Sequence, residues 1–237
     1  MRGLSVLFSG NILVQLIAFL IMPIVTRIYA PEELGLYQFI TTVALICSPF
    51  IIFSLNQAIV KEVDSEKRTK LFSVAVLIAL CTSIFFSLTF LLVNSLSSLD
   101  YEISNLHFIL LFLLMFLTSV FSLFQALALN ENKYGTYTKL AIIQSLSSNT
   151  SKVILGLISN TSVSLLLSLF LGAMFSIFYV FKSSVRVLYV KVRLASIFYA
   201  IKKYKGFTVF FTFSAFIGIF INWYIVLVAP SFGGMKE

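Results

Sequence analysis

The sequence predicts an all-α polytopic membrane protein, a helical bundle with seven transmembrane helices, and three observations carry that prediction. Of its 237 residues 59% are hydrophobic and 11% charged, with a mean hydropathy of +1.03, whereas soluble domains carry about 25% charged residues. The apolar residues gather in seven stretches, about 4–26, 34–60, 71–93, 106–129, 139–158, 163–181 and 207–229. Each comes near the roughly 20 residues a helix needs to cross a bilayer. Lysine and arginine, finally, fall almost wholly on one side of these stretches. With the N-terminus inside, the inner segments hold Arg2, then Lys61, Lys67, Arg68 and Lys70, then Lys133 and Lys139. The last inner loop adds Lys182, Arg186, Lys191, Arg193, Lys202, Lys203 and Lys205. Outside lie Arg27 and Lys236, with Lys152 inside a span. That bias sets a cytoplasmic N-terminus.

The charge therefore belongs to membrane topology, and the net +8 does not call for a nucleic-acid partner. Cys47 and Cys81 lie within apolar stretches, away from the single His, His107. They suggest neither a disulfide framework nor a metal site. No Walker loop, zinc-protease helix, dinucleotide loop or nucleophile elbow occurs. No cofactor is expected, and catalysis receives no support. His107 is expected on the outer surface.

The first stretch is too long for a signal peptide and is interrupted by Asn11 and Gln15; Pro31 follows Ala30 where cleavage would fall. It is read as a retained helix whose polar residues, with Thr26, share one side. The turn to the second helix is Arg27-Ile-Tyr-Ala-Pro-Glu-Glu-Leu-Gly-Leu-Tyr37. Pro31 suits a first helical position, and Glu32 and Glu33 suit the positive end of the helix dipole. Pro23 and Pro49 each remove a backbone donor and mark kinks, which serve either as hinges or as packing features. The third stretch carries Ala75, Ala79, Ser83 and Ser87 at steps of four, and the sixth Ser164, Ser168, Gly172 and Ser176. Small residues at that spacing let membrane helices approach closely.

The fifth stretch is the polar one. Gln144, Ser145, Ser148, Asn149, Ser151 and Lys152 fall within roughly 160° of a helix wheel, opposite Ile142, Leu146, Val153 and Leu157. Such a face has to turn toward protein or a water-filled cavity. Lys152 lies about 20 Å along the axis from Lys139, where an ammonium costs about 2.5–3.5 kcal/mol unless it finds water or a partner. It either faces a cavity or snorkels to the outer headgroups. Arg27 is a cavity cation or an interfacial anchor. Asn11, Gln15, Asn56, Gln57 and Gln125 either line a cavity or bond to neighbouring helices.

Three segments carry a resemblance to a family: Arg27–Tyr37 after a proline-containing helix, Lys133-Tyr-Gly-Thr-Tyr-Thr-Lys139, and Tyr204-Lys-Gly-Phe-Thr-Val-Phe-Phe-Thr-Phe-Ser-Ala-Phe216. The chain resembles polysaccharide transporters of the multidrug/oligosaccharidyl-lipid/polysaccharide superfamily, nearest to O-antigen and capsule flippases of the Wzx type. Two departures stand out. Family members usually place prolines in the seventh helix, where this chain has Thr208 and Phe213. They also usually have two lobes of six spans.

The resemblance implies an amino-terminal six-helix lobe over 1–181, a basic cytoplasmic linker over 182–206, and a seventh helix with a short outer tail over 207–237. It implies translocation of an undecaprenyl-diphosphate-linked oligosaccharide across the bacterial cytoplasmic membrane, in contact with membrane lipids and other polysaccharide-assembly proteins. On that reading Lys152 and Arg27 bind phosphate or acidic sugar, while Gln144, Ser148, Asn149, Asn11, Gln15 and Gln125 bind hydroxyls. The chain is then expected to be incomplete and inactive alone. An exporter of drugs or other solutes, an integral membrane glycan polymerase and a nonfunctional truncation product remain as alternatives.

Overall fold

Each of the seven apolar stretches becomes helix. The computed structural model describes residues 2–96, 104–184 and 194–228, and among these the only regular structure is helical. In order come α1 (Arg2–Ile28), α2 (Pro31–Ile51), α3 (Leu55–Lys61), α4 (Ser65–Leu96), α5 (Asn105–Asn130), α6 (Tyr134–Ile158), α7 (Ser162–Ser184) and α8 (Leu194–Val228). The middle of the acidic outer loop (97–103, with Asp100 and Glu102), the stretch 185–193 with Arg186, Lys191 and Arg193, and the tail from 229 lie outside the described residues.

Six helices, α1, α2, α4, α5, α7 and α8, are long and apolar enough to cross a membrane. The remaining expected span, the fifth stretch, is α6, which has the length at 25 residues but is too polar to match the other six. Its neighbours explain how so polar a helix is accommodated: α1 runs along one side of it and α7 along another. Against α1, a Cβ on Gly3 would come within 2.5 Å of the Tyr134 ring, and one on Gly10 within 2.2 Å of the Thr138 methyl. Further along, the Ser145 hydroxyl reaches the Val14 carbonyl at 3.4 Å, and Gly156 sits against Ile28 and Tyr29. Against α7, a Cβ on Gly172 would stand 2.6 Å from the Ser148 Cβ and 2.8 Å from the Gln144 carbonyl oxygen. The backbones approach closely, and the hydroxyls spend their hydrogen bonds inside the seams.

The rows of small residues lie where close packing needs them. Ala75, Ala79, Ser83 and Ser87 of α4 are all buried, as are Ser164, Ser168, Gly172 and Ser176 of α7. Ser87 donates to the Phe108 carbonyl of α5 at 3.1 Å, and Ser176 to the Leu140 carbonyl of α6 at 2.9 Å. Ile40, Phe72, Leu111, Met115 and Leu123 fill the space between α2, α4 and α5 with no exposure above 0%.

The second apolar stretch is broken rather than continuous. After Pro49, α2 ends at Ile51, and Phe53 and Ser54 take positive φ of 46° and 49° before α3 resumes. These values are uncommon away from glycine. The interruption is held from both sides: Thr82 of α4 donates to the Ile51 carbonyl at 2.6 Å, and Thr212 of α8 to the Ser54 hydroxyl at 3.2 Å. Non-helical backbone at membrane depth is tolerated where protein or a cavity satisfies its polar groups.

α8 begins at Leu194, so the boundary expected at 206, between linker and seventh span, falls within a helix. The helix runs unbroken through Thr208 and Phe213, the positions where family members usually carry prolines. Phe213 and Phe216 pack their rings on Phe50 of α2, with centroids 6.4 Å and 5.1 Å away.

Each end of the bundle is closed by a polar cluster. At the end expected outside, the Glu33 carboxylate accepts the Ser162 backbone N–H at 2.5 Å. It thereby caps α7 from another helix, where the dipole favours an anion. His107, expected on the surface, is instead buried at 6% exposure. The Ser104 backbone N–H donates to its Nδ1 at 3.2 Å, so the proton resides on Nε2, which donates to Ser162 Oγ at 3.0 Å. A histidine in the first turn of an apolar helix is drawn inward here because both ring nitrogens find partners.

At the opposite end, expected inside, Asn130 of α5 donates to the carbonyls of Ile59, Val60 and Glu62, satisfying the C-terminus of α3. Arg68 of α4 bonds Asn130 Oδ1 at 2.5 Å and Glu131 at 3.4 Å. Asp64 caps α4 by accepting the Glu66 and Lys67 N–H groups.

Candidate functional site

Between α2, α5 and α8 lies a cavity of about 590 Å³, reached also by Gln144 of α6 and Leu169 of α7. Its principal wall is one face of α2: Tyr37, Gln38, Thr41, Ser48 and Pro49, spaced by about one and two turns. The break continues that wall with Ile52 and Ser54, and α3 with Asn56 and Gln57. α5 contributes Leu114, Thr118, Ser119 and Ser122, and α8 contributes Phe211, Ala215 and Ile219. From Tyr37 to Ile52 the cavity follows α2 for about 22 Å. Among the described residues, none that lines it is Lys, Arg, Asp or Glu.

Most hydroxyls of the wall are already committed. Thr41 donates back to the Tyr37 carbonyl at 2.9 Å, Thr118 to Leu114 at 2.7 Å, and Ser119 to Met115 at 2.8 Å. Asn56 donates to Ser122 Oγ at 2.9 Å, joining α3 to α5. The amide heads of Gln38, Gln57 and Gln144 stand apart from this pattern, because none has a side-chain hydrogen-bond partner among the described residues. Each brings both a donor and an acceptor to the cavity. The wall is therefore a mostly apolar surface, with two aromatic rings, on which uncharged amides and hydroxyls are set.

Of the eight residues singled out from sequence, Gln144 lines this cavity. Lys152 is half-buried, with its Nζ 5.3 Å from the centroid of the Tyr37 ring, so it stands beside the wall and not on it. A cation over an aromatic face is attracted by the ring quadrupole. Ser148 is buried against Gly172 of α7 and donates to the Ser145 carbonyl at 3.2 Å. Asn149 is buried with its amide on the Ser145 carbonyl, 2.8 Å, and hydroxyl, 3.3 Å. Gln125 is half-buried on α5, about a turn beyond Ser122, and lies outside the cavity lining. Asn11, Gln15 and Arg27 are exposed on α1. The arc of polar residues on α6 is thus divided among α1, α7 and the cavity.

Asn56 and Gln57, noted in the sequence as polar residues near the inner end, do line the cavity. The residues that sequence reasoning passed over are those of α2. Gln38, Thr41 and Ser48 share one side of a helical wheel, and Thr118 and Ser122 share another on α5. A scan of every apolar stretch for weak hydroxyl and amide stripes would have found both.

The end expected inside carries a charged cluster. Glu62, just after α3, accepts hydrogen bonds from the Tyr204 hydroxyl and, at 3.2 Å, from Lys203 Nζ, both on α8. The Tyr204 hydrogen bond, followed by Lys203 and the Asp64 backbone, holds the Glu62 carboxyl below its ordinary value against the opposing effect of burial. This pins the first turns of the α8 span to the bundle. Among the described residues no group of His, Cys, Asp and Glu is placed to hold a metal ion.

Residues 1–230 match the family described as polysaccharide biosynthesis protein. The chain belongs to that family. No curated protein and no solved structure matches it. Membership connects the chain to polysaccharide synthesis or export, in a family whose members are mainly transporter-like. The helices long and apolar enough to cross a membrane agree with a membrane-embedded member of it.

Proposed function

We propose that this chain forms part of a flippase that moves a lipid-linked oligosaccharide across the bacterial cytoplasmic membrane, with the N-terminus in the cytoplasm. The observation that carries the reading is the 590 Å³ cavity inside a bundle of membrane-length helices, whose mostly apolar wall carries a set of amides and hydroxyls. A sugar head needs a surface of that chemistry to exchange its water hydrogen bonds, while a polyprenyl tail is at home in lipid. The broken second span supports the reading, because interrupted helices commonly form the binding site of alternating-access transporters. The polar clusters at the two ends supply places where the bundle can open and close in turn. In this scheme the head enters at the Glu62–Tyr204 end, occupies the cavity, and leaves at the Glu33–Ser162 end. Lys152, beside Tyr37, meets the diphosphate as it passes.

The test is a reconstituted flipping assay. Proteoliposomes made from cytoplasmic-membrane extracts with this chain present or deleted receive an undecaprenyl-diphosphate-linked disaccharide, and lectin accessibility reports its leaflet. Protein-dependent transfer supports the reading. Transport of a small cationic dye in the same vesicles, without glycan transfer, replaces it with a solute exporter.

A further inference from the structure

Resting on the flippase reading, we infer that the cavity selects an uncharged glycan head, with Gln38 and Gln144 as the residues that read it. Among the described residues the wall carries no Lys, Arg, Asp or Glu. Among the described residues two lysines come close to it, each with its ammonium over a ring: Lys152 Nζ lies 5.3 Å from the Tyr37 centroid and Lys61 Nζ 5.8 Å from that of Phe211. Tyr37 and Phe211 belong to the wall and the lysines do not. A uronate or sialate entering such a space loses its hydration and meets no compensating cation, a strongly unfavourable exchange. Hydroxyl and acetamido groups meet a better match. The Gln38 and Gln144 amides can each donate and accept at once, and neither has a partner among the described residues to give up first. Ring faces such as Tyr37 and Phe211 offer apolar surface for the C–H side of a pyranose.

This assigns the parts of a lipid-linked substrate to different places. The neutral sugars occupy the cavity, and the diphosphate remains at its margin, where Lys152 stands. It also sets Gln144 apart from Ser148 and Asn149 on the same helix, since those two are buried in packing seams.

The experiment is equilibrium binding to the full chain in lipid nanodiscs, using two farnesyl-diphosphate-linked disaccharides of equal size. One consists of two N-acetylglucosamine units, and the other ends in glucuronic acid. The neutral probe is expected to bind at least about tenfold more tightly. Gln38→Leu and Gln144→Leu are each expected to weaken it about five- to tenfold, the loss of one or two hydrogen bonds, with helical content and elution volume unchanged. Gln38→Arg keeps a long polar side chain and is expected to reverse the preference toward the acidic probe. Equal or tighter binding of the acidic probe by the unaltered chain overturns this inference and leaves the flippase reading standing. Unchanged neutral binding by both leucine variants also overturns it. Binding of neither probe removes both.

Discussion

The Tyr29 hydroxyl donates a 2.8 Å hydrogen bond to the main-chain carbonyl of Lys152, joining residues 123 apart in the chain. Tyr29 is 3% exposed in the turn after α1, and its ring lies where a Cβ on Gly156 would come within 2.8 Å. The contact closes the outer end of the α1–α6 seam and fixes the helical turn that carries Lys152. Tyr29→Phe keeps the ring and removes the bond. It is expected to cost about 1 kcal/mol, seen as a small drop in the thermal unfolding midpoint in detergent. No shift would mean that the seam is held by the glycine contacts alone.

Gly172 makes a sharper demand. A methyl there meets the Gln144 carbonyl oxygen and the Ser148 Cβ, neither of which can move without moving α6. Gly172→Ala is expected to destabilise by about 1–3 kcal/mol through overpacking. Gly206→Ala is the control, since nothing lies within 4 Å of its Cβ position. In the interior of α8 it should be neutral or stabilising by up to about 1 kcal/mol. Equal effects of the two would show that α6 and α7 are not so closely packed.

Accessibility to a membrane-impermeant thiol reagent maps the cavity, in a background lacking Cys47 and Cys81. Cysteines at positions 38, 48 and 144 are expected to react, and cysteines at 145, 148 and 149 to stay inert. The first three line the cavity and the last three are buried between helices. Labelling at 148 and 149 with none at 38 would return the polar side of α6 to a water-filled face.

The link between Glu62 and α8 should depend on pH in one direction. Hydrogen bonds, from Tyr204 above all, lower the carboxyl's value in the folded protein. The ionised pair therefore stabilises docking fully above the ordinary glutamate value. That contribution is lost as pH falls through the depressed folded-state value, beneath the ordinary glutamate range. Hydrogen-exchange protection across residues 203–208, taken relative to the intrinsic rate at each pH, is expected to fall there, and Glu62→Gln to show low protection already at neutral pH. A flat profile in both proteins would leave the Phe50 contacts as the attachment of α8.

Topology follows from the charge bias. Reporters fused after Lys70, Lys139 or Lys203 are expected in the cytoplasm, and one after Ser98 on the opposite side. A reporter at Lys203 found outside would rule out the arrangement with Glu62 and Tyr204 at the inner mouth.

The sequence by itself determined that the chain is helical and marked the six segments that suit a membrane, while counting the polar α6 with them and missing the break after Ile51. Hydropathy is a property each segment carries alone, and a bilayer forces any such segment to satisfy its own backbone. It also exposed the close-packing rows, because Ser164, Ser168, Gly172 and Ser176 share a face whatever lies opposite. Only the tertiary structure decided what the polar residues do. Whether Ser148 faces water or Gly172 depends on a second helix that no local pattern names. Gln38 becomes a cavity residue because α5 and α8 stand away from it, and His107 is buried because Ser104 and Ser162 converge on its two nitrogens. A polar side chain in a membrane helix has to find a partner, and the identity of that partner is a relation between distant segments.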